Sequence, residues 1–176
     1  MNQGVEDIRV AVNISFKQFQ QDNFVEIVKN TLAETDLDPQ YLELEITESV
    51  AMNNPEEVIK KLQQLKESNI FISIDDFGMG YSSLNYLKRL PIDQLKVDRS
   101  FIQDIVETND TAIVRAIISM AQSLQLSVVA EGVEQQLQAT ILKNLNCQIA
   151  QGFLYYKPMK ESELINILTK KEKIKI

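Results

Sequence analysis

Six short runs of β-type residues alternate with longer helical patterns along this chain, and each run carries a polar or charged side chain at or near its end. The runs are Ile8 to Ile14, Tyr41 to Thr47, Ile70 to Asp75, Gln94 to Asp98, Ser127 to Glu131 and Gln148 to Phe153. Between and after them, apolar residues at helical spacing predict helices over about Asn23 to Glu34, Asn54 to Ser68, Ser82 to Arg89, Asp110 to Leu124, Glu134 to Leu145 and Glu161 to Lys170. Asn54 is placed to cap its helix, Pro55 suits a first turn, and Glu56 and Glu57 suit the positive end of the helix dipole. The basic tail from Lys170 to Ile176 is expected to fray. Regular β–α alternation implies a parallel sheet. No Gly-x-Gly-x-x-Gly follows the first run, which disfavours a nucleotide-binding doubly wound sheet and leaves an α/β barrel. A complete (β/α)8 barrel takes about 250 residues. Six β–α units in 176 residues therefore predict a single domain over 1–176 that lacks roughly two units.

The strand ends carry the chemistry. They present Asn13, then Glu45 with Glu48 behind it, the pair Asp75-Asp76, Lys96 with Asp98, Glu131 and Gln151. In barrels of this kind the strand C-termini converge on the face that holds the active site. Each residue alone has a plainer explanation. A carboxylate or Asn13 at a strand end commonly caps a helix, and Lys96 could be a snorkelling surface lysine. Gln151 alone says little. Asp75-Asp76, at the end of an apolar run and just before Gly78-Met79-Gly80, is harder to dismiss, and the agreement of six strand ends is the stronger signal. Converging Glu45, Asp75, Asp76 and Glu131 would repel one another, and a buried carboxylate costs roughly several kcal/mol unless a cation or hydrogen bonds compensate it. One or two divalent cations would resolve that repulsion.

Composition narrows the cation. The chain has no histidine, which removes Ser-His-Asp catalysis and histidine-ligated zinc. Oxygen ligands point to Mg²⁺ or Mn²⁺, and no EF-hand spacing favours calcium. Cys147 is the only cysteine, so no intrachain disulfide can form. A net charge of −7 argues against a nucleic-acid polymer or an anionic membrane as partner, although a bound metal would still admit a phosphate ligand. No apolar run approaches the length of a membrane span, and MNQGVEDIRV does not resemble a secretory signal, so a cytoplasmic location is expected.

Hard metal, carboxylates and one lysine fit two reactions. One is phosphodiester hydrolysis, with metals about 3.5–4 Å apart clamping the phosphate. The other is proton abstraction beside a carboxylate, with lysine as base and metal holding an enediolate. The pattern barely separates them. The missing histidine removes one common base of the second, and the Asp75-Asp76 pair favours the first, because one carboxylate can bridge two metals while its neighbour serves one.

VNIS at Val12 to Ser15, ELEITES at Glu43 to Ser49, SIDDFGMGYSSL at Ser73 to Leu84, LKVDRSFI at Leu95 to Ile102, VVAEGVE at Val128 to Glu134 and QGFLYYKP at Gln151 to Pro158 together resemble the EAL domain family. The resemblance implies a TIM-like (β/α)8 barrel of the EAL type with one antiparallel N-terminal strand, here about six β–α units and N-terminally truncated. It implies hydrolysis of cyclic di-GMP to linear pGpG, with Mg²⁺ or Mn²⁺ as one or two ions and a homodimer as the working form. Asn13, Glu45 and Asp75 resemble ligands of one metal, and Asp75, Asp76 and Glu131 those of a second. Lys96 resembles the residue that contacts the attacking water or a phosphate oxygen. Glu48 resembles the glutamate that pins the loop carrying Asp76 to Ser83. Asp98, Glu134 and Gln151 match polar positions of the family's substrate pocket. Two departures stand out. The Glu-Ala-Leu motif, which would lie upstream, is absent, and Met79 stands where the family usually has threonine. The lost segment leads to the expectation that these 176 residues alone turn over weakly or not at all. It also keeps open an inactive cyclic di-GMP receptor or a protein-interaction module.

Overall fold

The structure is a computed structural model and describes residues 8–80, 83–107 and 111–169. Six parallel strands lie side by side in the order of the chain: β1 (Val10–Ile14), β2 (Leu42–Thr47), β3 (Phe71–Phe77), β4 (Gln94–Val97), β5 (Ser127–Ala130) and β6 (Ile149–Ala150). Parallel neighbours need a crossover, and helices supply it. α1 (Phe16–Phe19), α2 (Phe24–Thr35) and a 3₁₀ turn at Pro39–Tyr41 link β1 to β2. α3 (Glu48–Ala51) and α4 (Pro55–Lys66) lead to β3, α5 (Leu84–Leu87) to β4, α6 (Arg99–Glu107) and α7 (Ala112–Ser123) to β5, and α8 (Gln136–Asn144) to β6. α9 (Glu161–Thr169) follows. This is the α/β barrel architecture expected, in six β–α units.

The two faces of the sheet differ, and period-two alternation shows it. Leu44 and Ile46, Ile72 and Ile74, Leu95 and Val97 are all buried beneath the helices, in one core with Leu62 and Leu65 of α4, Ile102 and Ile105 of α6, and Ile118 of α7. Full burial stabilises each such side chain by about 1.5–3 kcal/mol. The alternate residues on the opposite face are Glu43 and Glu45, Ser73 and Asp75, Gln94 and Lys96, most of them equally buried. Parallel barrel strands usually fill that inner face with branched aliphatics. Here one rung of the ladder runs Asn13, Glu45, Ser73, Gln94, Ser127 across five strands without an aliphatic side chain. The barrel interior is polar well below its rim.

Several local expectations change. Asn54 does not cap α4 with its side chain. Its backbone is left-handed, with φ 48°, and its amide donates instead to Glu57 at 2.8 Å. Caps normally need an extended backbone to turn the side chain onto the first free N–H groups. The sixth run forms a strand only at Ile149–Ala150. After Gln151 the chain turns, with Tyr155 N–H closing on the Gly152 carbonyl at 3.1 Å. Helix α6, which the sequence pattern does not predict, follows Asp98. Asp98 starts it by accepting from Ser100 N–H at 2.8 Å, and Ile102 and Ile105 anchor it. The Ser82–Arg89 helix shrinks to the single turn of α5. Ser82, Asp110 and the tail from Lys170 lie outside the described residues.

Candidate active site

The acidic centre depends on a break in β3. In a regular strand Asp75 and Asp76 would point to opposite faces. Instead the β3–β4 register shifts between Ile74 and Phe77, and Asp76 takes a left-handed backbone with φ 53°. Such bulges re-aim side chains beside functional sites, and a left-handed non-glycine residue is a costly conformation to hold. The consequence is that Asp75, Asp76 and Glu131 each bring a carboxylate oxygen within 4.8 Å of the others.

Lys96 stands at the middle of this group. Its Nζ lies 2.7 Å from Glu45 Oε1, 2.9 Å from Glu131 Oε1 and 3.1 Å from Asp75 Oδ1. The ammonium is thus shared by carboxylates from β2, β3 and the end of β5, and its side chain is only 6% exposed. Burial alone would lower the Lys96 pKa; hydrogen bonds to Glu45 and Glu131, with the charges of Glu131 and Asp75, outweigh it and hold the group above the usual lysine value. Burial raises the Glu131 carboxyl above the usual range against the pull of Lys96, and Asp75 adds to the rise. Burial also raises Asp76, as do the charges of Asp75 and Asp98. Among the described residues, buried Asp75 Oδ1 has its ion pair with Lys96 and no hydrogen bond. A site with too many carboxylates for one lysine, two of them driven toward the protonated form, has the chemistry of a cation cradle. The oxygen-only donor set suits a hard divalent ion.

Glu48 opens α3 and is 3% exposed. Its Oε2 accepts from Gly78 N–H at 2.9 Å and Gly80 N–H at 3.1 Å, holding the turn that follows Asp76. Gly78 has φ +106°, and a Cβ there would lie 2.7 Å from the Phe101 ring. Met79 is 66% exposed, with its sulfur 3.5 Å from Ser100 Oγ. Ser100 Oγ also donates to Asp98, whose charge adds to the rise of Asp76 behind burial and Asp75, so α6 meets the acidic centre at its first turn.

The remaining predicted residues stay apart. Asn13 pairs in register with Glu45, but its side chain is exposed on β1. Glu134 and Gln151 are exposed, and among the described residues no hydrogen bond or ion pair joins either side chain to the cluster. Conversely, Glu43, Ser73 and Gln94 join the polar inner face although they do not stand at strand C-terminal ends in the sequence. Gln94 Nε2 donates to Glu43 Oε1 at 3.2 Å, Ser127 Oγ donates to Gln94 Oε1 at 3.1 Å, and Ser73 Oγ is buried without a hydrogen-bond partner among the described residues. Each lies two residues before a strand-end residue already singled out, which was the available signal.

The fold and site define a parallel α/β barrel domain with an acidic, lysine-centred pocket at its strand ends. The chain belongs to the EAL domain family, whose model matches residues 1–158. It is 45% identical over 163 residues to the Pseudomonas aeruginosa bifunctional diguanylate cyclase/cyclic di-GMP phosphodiesterase MucR, covering 92% of this chain and 24% of that protein. It is 47% identical over 157 residues to the cyclic di-GMP phosphodiesterase NbdA of the same organism, covering 89% of this chain and 20% of that protein. The solved MucR phosphodiesterase, a c-di-GMP complex, superposes with a TM-score of 0.89 over 93% of this chain and 66% of that one. Klebsiella pneumoniae BlrP1, solved as a manganese/cy-diGMP complex, is 31% identical, with a TM-score of 0.74 over 83% of this chain and 38% of that one. The chain therefore spans about a quarter or less of the curated relatives' length. No described helix is long and apolar enough to cross a membrane.

Proposed function

We propose that this domain hydrolyses cyclic di-GMP to linear pGpG with Mg²⁺ or Mn²⁺, as a cytoplasmic signalling phosphodiesterase that works as a homodimer. The observation that carries the reading is the gathering of Asp75, Asp76 and Glu131 within 4.8 Å around a buried lysine. Those three, with Glu45 beside them, are the residues that would hold the ion. A divalent ion bound there supplies Lewis acidity toward the phosphate oxygens and lowers the pKa of water. The chain's own residues do the rest. Lys96, held protonated, offers N–H donors and a positive charge to the phosphate or to the incoming water. Glu48 fixes the Gly78–Gly80 turn so that Asp76 stays on the site side. Asp98, Glu134 and Gln151 line the route by which the nucleotide enters. Water adds at phosphorus, one ester P–O bond breaks, and the departing ribose oxygen takes up a proton.

The test is incubation of the purified chain with cyclic di-GMP in Mg²⁺ and in Mn²⁺, with products separated by chromatography and binding measured in Ca²⁺ on the same sample. Slow formation of linear pGpG, lost in Asp75→Ala, is the expected result, in keeping with weak turnover by these 176 residues alone. Tight binding without product would move the chain to the receptor class, and neither binding nor product would overturn both readings for this chain.

A further inference from the structure

We propose that Gln138, a residue of α8 remote from the strand ends, is a positioning residue that sets the carboxylate of Glu131. The inference rests on the metal site proposed above and concerns how that site is held.

Glu131 lies just beyond β5, and its backbone alone cannot fix its direction. Its N–H donates to the Val97 carbonyl at 3.2 Å, the last ladder bond on that side. The next residue, Gly132, has φ +69°, and a Cβ there would lie 2.5 Å from Arg99 Cβ, so the chain is pressed against the start of α6. Beyond it, Glu134 and Gln135 carry N–H groups at the entrance to α8. The Gln138 side chain, in a residue only 2% exposed, takes both: Oε1 accepts from Glu134 N–H at 2.8 Å and from Gln135 N–H at 2.9 Å. Its other end, Nε2, donates to the Ile102 carbonyl of α6 at 3.0 Å.

Either half would be ordinary alone. The acceptor half is a capping box that starts a helix. The donor half does something a cap does not need, since it ties the Glu131–Gln135 turn to a different helix. α6 is the helix that begins beside Asp98, whose charge reaches Asp76. One buried amide therefore joins the turn carrying Glu131 to the element flanking Asp76, and these two carboxylates must keep their mutual distance to hold one ion. Groups bonded directly to a metal's ligands commonly shift affinity by about 10–100-fold when removed, and Gln138, which acts through the turn that follows Glu131, falls at the low end of that range.

The two halves can be cut separately. Gln138→Glu keeps an acceptor for both N–H groups and loses the donor to Ile102. Gln138→Met loses both. The experiment measures Mn²⁺ binding by the loss of the free-ion electron paramagnetic resonance signal, on wild-type and variant chains whose helix content and urea midpoints are recorded alongside. The expected result is about tenfold weaker Mn²⁺ binding in Gln138→Glu even though α8 remains capped, and a loss at least as large in Gln138→Met. Wild-type affinity in either folded variant would overturn the proposal. A second measurement needs no variant: amide hydrogen exchange in the wild-type chain should show Glu134, Gln135 and α6 gaining protection together on Mn²⁺ addition, and protection confined to β3 would overturn the link. Failure of the wild-type chain to bind Mn²⁺ at all would overturn the metal site itself and this inference with it.

Discussion

At the centre of the sheet, β2 to β5 bring Glu45, Asp75 and Glu131 to within 2.7–3.1 Å of one ammonium, whereas at the edges Asn13 on β1 and Gln151 after β6 stand exposed. All of these positions are polar strand ends of the same kind in the sequence. What differs is the company. A central strand has a neighbour on each side and helices behind it, so its inner side chains are desolvated and must find partners. An edge strand leaves one side open: Val10 and Val12 of β1 are 54% and 40% exposed, and Ile149 of β6 is 45% exposed. There the polar side chains keep their water and nothing forces them inward. The polar cluster is therefore a property of closure by neighbours, and its strength should fall from the centre outward.

The largest effect is expected where the centre loses the Lys96 ammonium. Lys96→Met leaves Glu45, Asp75 and Glu131 facing one another without the ammonium that separates them. Breaking a buried ion pair from one side typically costs about 3–5 kcal/mol. In metal-free buffer the urea midpoint should fall by a corresponding amount, and millimolar Mn²⁺ should restore part of it by replacing the lost charge. An unchanged midpoint would mean that the central carboxylates escape by rearrangement or protonation, and the contrast with the edges would lose its electrostatic basis.

The same contrast explains what is legible in the sequence. Alternating runs and polar ends sufficed for the parallel α/β architecture and for singling out Glu45, Asp75, Asp76, Lys96 and Glu131, which the structure gathers in one cluster, because residue type and period two are local properties. They did not rank those residues against Asn13, Glu134 and Gln151, since exposure is set by neighbouring strands. The break that turns Asp75 and Asp76 to one side is a backbone event, with φ 53° at Asp76, that two adjacent acids do not announce. Helix α6 is hidden in the sequence because Asp98 reads as a strand-end site residue, although it also begins a helix. Gln138 looked like any polar position on an amphipathic helix; only tertiary packing gives its amide partners at both ends.

A smaller effect is expected at Glu48, which lies beside the centre without touching Lys96. Gln at this position keeps the shape but replaces a charged acceptor with a neutral one opposite Gly78 and Gly80. Hydrogen bonds to charged groups contribute about 1.5–3 kcal/mol, and neutral ones about 1. Glu48→Gln should therefore lower stability by about 1 kcal/mol and speed amide exchange at Gly78 and Gly80 specifically. Uniform exchange across the domain would instead make Glu48 a general core residue and remove its tie to the turn.

The smallest effect is expected at the edge itself. Asn13 shares a rung with Glu45, yet its side chain is exposed, and surface substitutions of that kind usually stay within about 0.5 kcal/mol. Asn13→Ala should leave the urea midpoint in metal-free buffer unchanged. Mn²⁺ titration of the same variant then gives the sharper reading. If binding drops far less than in Asp75→Ala, the ion is held by the central strands and β1 contributes little. A loss as large as that of Asp75→Ala would show that the ion itself draws β1 into the cluster. The edge would then differ from the centre only while the site is metal-free, because cation binding supplies the reason to desolvate Asn13 that neighbouring strands supply for Glu45.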